Sequence, residues 1–220
     1  MSFNIIGAGY KFPQPRDIKI NMMPFVQGDP ESLPNGLESY WDFVQEYYLD
    51  YGKKGFLTID EGFVNAGSTQ RGYGSDKRTL HTEACKSLKW GSPPAWGSKS
   101  VMGWGAWASN EDVMLSPELK VLIGNSIDDT CALWDAEEEP TLDGDLGHLA
   151  DRYKRDQAHL MAAGEIAEIG ILTPHECIKQ KRSGVRQFVR IVGEQVFGKA
   201  SYFTENCKVK HNPQLTNPAD

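Results

Sequence analysis

The sequence predicts a mainly β protein, a sandwich or barrel with a few covering helices. Twenty-two glycines and twelve prolines cut the 220 residues into short pieces. Many of these pieces are rich in β-branched and aromatic side chains, the texture of short strands joined by turns. Two stretches carry helical periodicity instead.

The candidate strands, in chain order, are 18–22, 55–60, 78–85, 101–109, 120–124, 130–134, 165–172, 185–192 and 195–203. A first helix is expected over 37–51, where Leu37, Tyr40, Trp41, Val44, Tyr47, Tyr48 and Tyr51 recur at helical spacing and make one apolar face fit to cover a sheet. A second is expected over 146–163. There Leu149, Tyr153, Leu160 and Met161 alternate with Asp151, Arg152, Lys154, Arg155 and Asp156, and Gly164 is placed to end the helix. The acidic run 135–140 reads as a solvated loop, and the tail 208–220, with two Asn-Pro pairs, reads as irregular chain along the surface. No internal repeat or long linker divides the chain. One domain over 1–220 is expected, with a catalytic core at about 55–192 and both terminal extensions packed on it.

A formal net charge of −7 and a pI near 5.3 argue against a sequence-independent grip on a nucleic-acid backbone. Cys85, Cys131, Cys177 and Cys207 are widely spaced and form no C-x-x-C pair, so no disulfide framework is indicated. The first residues lack a basic region followed by a long apolar one, and no later segment approaches eighteen apolar residues. A soluble, cytoplasmic protein with no membrane contact is the expectation. Oligomeric state is not legible.

The chemistry-bearing pattern is a split set of candidate metal ligands. His81 and Glu83 stand two positions apart, which on a strand puts both side chains on one face. His175 follows much later, and a second histidine added to that pair completes the 2-His-1-carboxylate triad that holds Fe(II) while leaving positions open. Arg186 comes next, on the strand-like run 185–191, where its planar fork suits the far carboxylate of a dicarboxylic acid.

These residues resemble the iron(II)/2-oxoglutarate-dependent dioxygenase superfamily, whose site runs H-x-D/E, a long gap, a second His, then an Arg on the following strand. The matching positions are His81, Glu83, His175 and Arg186, and the resemblance covers mainly residues 55–192. Glu83 stands where aspartate is commoner. The resemblance implies a double-stranded β-helix, a jelly-roll or cupin-like fold, with the metal inside an open-mouthed barrel. It also implies Fe(II) on His81, Glu83 and His175, and 2-oxoglutarate as co-substrate gripped by Arg186. O₂ and a small-molecule substrate are the implied partners, and hydroxylation or a related C–H oxidation, with release of succinate and CO₂, the implied outcome. Arg190 is a weaker second candidate for the co-substrate, and Arg182 another rival.

Candidate substrate contacts lie on both sides of the first ligands. Gln70 and Arg71 fall in the segment 62–77, placed to form one rim. Trp90 and Trp104 belong to a tryptophan-rich stretch suited to lid the barrel mouth. Other readings stay open. His175 is equally a core histidine satisfied by a carbonyl, and Glu83 equally the partner of Arg71 or Arg78. Cys85 and Cys177 are small buried cysteines or thiolates that favour Zn(II). At the level of function, the alternatives are a cupin-like metal enzyme without 2-oxoglutarate and a non-catalytic jelly-roll binding module.

Overall fold

The computed structural model of the protein describes residues 1–69, 79–83, 120–139, 145–193 and 204–210. Among these, the strands are β1 (Phe3–Gly7), β2 (Lys19–Val26), β3 (Lys54–Val64), β4 (Lys120–Asn125), β5 (Cys131–Leu133), β6 (His159–Leu160), β7 (Ile166–Gly170), β8 (His175–Cys177) and β9 (Gly184–Val192). They make two sheets. The larger has the order β1-β7-β4-β9-β3-β2 and the smaller β6-β5-β8, and every strand pair is antiparallel.

Side-chain alternation turns the strands into layers. Val121 and Ile123 of β4, Ala167 and Ile169 of β7, Phe56 of β3 and Val192 of β9 pack with Cys131 and Leu133 of β5, so this cluster lies between the two sheets. The intervening residues Leu57, Ile59, Leu122, Ile166, Val189 and Ile191 face the other way. They pack under Tyr40, Phe43, Val44 and Tyr47, the buried side of the short helix α1 (Trp41–Glu46) and the turn before it. A third cluster, Leu80, Ala132, Trp134, Leu146 and Tyr153, covers the outer face of the smaller sheet.

The pairings nest in the chain. β5 pairs with β6, β4 with β7, His81 with His175 at the start of β8, and β3 with β9. The segment from β3 to β9 is therefore one long hairpin whose tip lies between β5 and β6. Successive rungs of this hairpin fall alternately in the two sheets, and the contacts β4·β9 and β5·β8 join neighbouring turns. β1 and β2 extend the two edges of the larger sheet.

Several expectations change. β1 was not anticipated, and β2 runs on to Val26 through an irregularity where Met22 has φ of 51°. The first helix is confined to Trp41–Glu46, with Tyr51 and Tyr48 exposed. Beyond Tyr47 the side chain of Gln27 accepts the N–H groups of Leu49 and Asp50, and its carbonyl accepts that of Gly52. Those amides are thus satisfied without a helical turn.

The second helix is absent. Residues 146–163 form 3₁₀ turns at Gly147–Leu149 and Arg155–Gln157, then the strand β6. Tyr153 packs on the outside of the smaller sheet, whereas Met161 enters the core between the sheets. One straight helix with a single apolar stripe cannot bury both. Of the expected strand 78–85, residues 79–83 are described, and they pair only through His81. The expected strands 101–109 and 195–203 lie outside the described residues.

Candidate metal centre

The site is built on a backbone pairing. His81 donates its N–H to the carbonyl of His175, and His175 donates its own to that of His81, both at 2.9 Å. His81 also bridges to Asp145 on its other side, and Leu146 donates to the carbonyl of Leu80. Residues directly opposite in an antiparallel pair put their side chains on the same face. The two imidazoles accordingly lie with ring centroids 4.0 Å apart, in register with Leu133 of β5, which opposes His175 and points into the core between the sheets.

Both rings are held in the same way. Nδ1 of His81 contacts the carbonyl of Thr79, and Nδ1 of His175 contacts that of Thr173 at 2.9 Å. A carbonyl only accepts, so Nδ1 carries the proton in each ring and Nε2 keeps the lone pair in the neutral form. Metal-binding histidines are oriented by this kind of contact. Glu83, His81 and His175 are 2%, 3% and 5% exposed.

Nε2 of His175 lies 3.1 Å from Oε1 of Glu83. A lone pair facing a carboxylate oxygen at this distance needs a cation, either a proton on the ring or a metal ion. Two cis ligand atoms, each about 2.1 Å from an ion, are about 3.0 Å apart, which fits a metal. Oε2 of Glu83 is buried with no hydrogen-bond partner among the described residues, an expensive state for a carboxylate that a bound cation would relieve. One donor atom from each of the three residues falls within 4.8 Å of the others, and no thiol joins this group among the described residues. Two nitrogens and an oxygen with no sulfur are a donor set for a divalent first-row metal, Fe(II) and Zn(II) among them.

Arg186 and Arg190 share the face of β9 that carries Phe188 and Val192 toward the core between the sheets. Arg186 is buried, bonded through Nη2 to Asn125 Oδ1 and through Nε to Thr130 Oγ1 at 3.2 Å, and it stands over the Phe188 ring. Thr130 precedes Cys131, which opposes Cys177, and its carbonyl accepts from the N–H of Ile178, so Arg186 reaches the end of β5 opposite Ile178, three residues along from His175. Arg190, 1% exposed, bonds Thr58 Oγ1 at 3.2 Å and lies against Met22. Arg182 is exposed. On the outer face, Arg155 grips the fully buried Glu176 with two bonds, at 2.6 and 3.2 Å, and so anchors β8 beside His175.

His81, Glu83 and His175 thus come together as the spacing required, although His81 and Glu83 sit on a bridged loop rather than a long strand. Gln70, Arg71, Trp90 and Trp104 lie outside the described residues, as do Arg78 and Cys85. His148 is exposed, while His159 is half-buried and paired with Glu165 at 2.8 Å. The residues missed were Thr79 and Thr173, whose carbonyls hold the two rings. Their signal is plain in the chain, because Thr79-Leu80-His81 and Thr173-Pro174-His175 repeat one T-x-H pattern. Among the described residues no helix is long and apolar enough to cross a membrane. No family model, curated protein or solved structure matches the chain.

Proposed function

We propose that the protein is an Fe(II)- and 2-oxoglutarate-dependent oxygenase acting on a small molecule, built on a double-stranded β-helix. The fold proposal draws its support from the nested pairings, because a long hairpin wound so that its rungs alternate between two facing sheets is how a jelly roll is made. The observation that carries the functional reading is the convergence of His81, Glu83 and His175. Their rings are pinned through Nδ1, and their carboxylate is buried with one oxygen that has no hydrogen-bond partner among the described residues. Arg186 adds support. Its bond to Thr130 places the guanidinium at the end of β5 that pairs with β8, the strand that begins at His175.

In this reading His81, Glu83 and His175 would hold the metal, and Arg186, oriented by Asn125 and Thr130, would pair with the distal carboxylate of the co-substrate. Iron and 2-oxoglutarate, when bound there, would supply the oxidising chemistry. The protein supplies position and dryness. Phe56, Ile123, Leu133 and Val192 keep the space between the sheets apolar, which strengthens each charge contact made at its margin.

The test is anaerobic titration of the protein with Fe(II) and then 2-oxoglutarate. The expected result is one equivalent of iron, followed by the weak visible charge-transfer band of a chelated 2-oxo acid. Iron binding without the band would move the reading to a metal enzyme that does not use 2-oxoglutarate. Binding of neither would overturn it.

A further inference from the structure

Cys131 and Cys177 oppose each other across β5 and β8, and neither is in a disulfide. The flanking bond from Ile178 N–H to the Thr130 carbonyl, at 2.9 Å, makes the next pair inward, Cys131 with Cys177, a non-hydrogen-bonded one. In such pairs the Cα atoms approach to about 4.5 Å and the side chains lie closest. Disulfides span Cα separations of about 4.4–6.8 Å, so this pair is already within range. Closing the bond needs the Cβ atoms to draw together by only about 1 Å. Cys131 is buried in the core between the sheets and Cys177 is half-buried, so a small oxidant can reach one thiol while the other waits beside it.

The pair is wired to the candidate metal centre. Cys177 is two residues from His175 on the same face of β8. On its other side, Thr79 Oγ1 both donates to the Cys177 carbonyl and accepts from the Cys177 N–H, each at 2.9 Å. The carbonyl of that same threonine holds Nδ1 of His81. Any shift of the Cys177 backbone toward β5 is thus passed to both histidines.

We propose that Cys131 and Cys177 are a dithiol switch, closed by peroxide and reopened by a thiol reductant, whose closure weakens metal binding at His81, Glu83 and His175. Peroxide oxidises one thiol to a sulfenic acid and is reduced to water. The second thiol then attacks that sulfur, forming the S–S bond and releasing a second water, so two thiols and one H₂O₂ give one disulfide and two waters. A bond that must pull its strands together is the labile kind that ordinary thiols reduce. The linkage stands on β5 and β8 alone, whereas its effect on metal rests on the metal-centre reading.

The test treats the metal-free full chain with hydrogen peroxide and removes the oxidant. Peptides are then mapped by mass, and Mn(II) affinity is measured by calorimetry. Mn(II) is chosen because hard oxygen and nitrogen ligands suit it and thiols do not. The expected result is a peptide joining Cys131 to Cys177, a loss of Mn(II) affinity of about tenfold, recovery of both with dithiothreitol, and no affinity change in Cys131→Ser. Absence of the joined peptide overturns the switch. A joined peptide with unchanged affinity overturns its link to the metal, and reduced protein that binds no Mn(II) overturns the metal-centre reading while the peptide map still reports on the linkage.

Discussion

His81 and His175 are a hydrogen-bonded pair on neighbouring segments, each backbone accepting from the other at 2.9 Å, with imidazole centroids 4.0 Å apart. Two candidate ligands far apart in sequence are thereby fixed by main-chain bonds that do not depend on a metal. The ordering entropy of these side chains is met in folding, so an arriving ion would find them already positioned.

His81→Ala and His175→Ala should each abolish stoichiometric Fe(II) binding while leaving far-ultraviolet circular dichroism close to wild type. The backbone pairing survives loss of either ring, whereas two remaining ligands hold an open-sided ion poorly. Metal analysis after anaerobic loading checks this, and full occupancy in both variants would sink the triad.

Glu83 gives a test through stability. Metal should raise the melting temperature, because binding to the folded state alone adds about 2.7 kcal/mol at a hundred times Kd, which is roughly 5–11 °C for a chain of this size. Glu83→Gln should lose most of that rise, since the amide keeps the shape and not the charge. A rise equal to wild type in Glu83→Gln would place the ion elsewhere.

The strands of the two sheets were legible where alternation and β-branching agreed. The runs 55–60, 120–124, 130–134, 165–172 and 185–192 all fall on observed strands. The candidate ligands were legible because His81 and Glu83 lie two apart and His175 follows the end of another strand-like run. What could not be read was tertiary in origin. Residues 146–163 carry helical spacing, but Tyr153 and Met161 serve opposite faces of one sheet, and only the sheet's position reveals it. Gln27, which truncates the first helix, lies ten residues before that helix was expected to begin. β1 is short and mostly exposed, so its five residues carry no alternation to find.

For the co-substrate, Arg186→Ala should weaken 2-oxoglutarate binding about 10- to 100-fold with Fe(II) retained, the loss expected for charged hydrogen bonds worth about 1.5–3 kcal/mol. Titrating the iron-loaded variant with 2-oxoglutarate reads it directly. Unchanged affinity would transfer the role to Arg190, the other arginine on that face of β9.

Arg155 tests how β8 is anchored. Its fork satisfies Glu176, which is fully buried, while Arg155 itself is nearly half exposed. Because water can reach the arginine's place, Arg155→Ala should cost about 1–3 kcal/mol, less than a fully buried pair loses. Urea unfolding measures the cost. Arg155→Lys should restore only part of it, since one ammonium cannot make both bonds; equal stability of all three proteins would remove Glu176 and Arg155 from the account of β8.

The pH dependence of stability should be traceable to Glu61 beneath α1. Burial pushes its carboxyl up, but bonds from Ile18 N–H, Tyr40 Oη, Arg16 N–H and Gln187 Nε2 outweigh burial, and the net shift is downward. A carboxylate with a lowered folded-state pKa stabilises above its unfolded value, about 4.3, and that contribution is lost as pH falls through the folded value. Glu61→Gln turns one oxygen into a donor facing other donors, so it should cost about 2–3 kcal/mol at pH 7. The gap between variant and wild type should hold steady down to about pH 5 and narrow below pH 4.3. Urea unfolding in steps from pH 7 to pH 3 measures it, and a gap that stays constant or widens in acid would show that Glu61 is not the charged centre of this network.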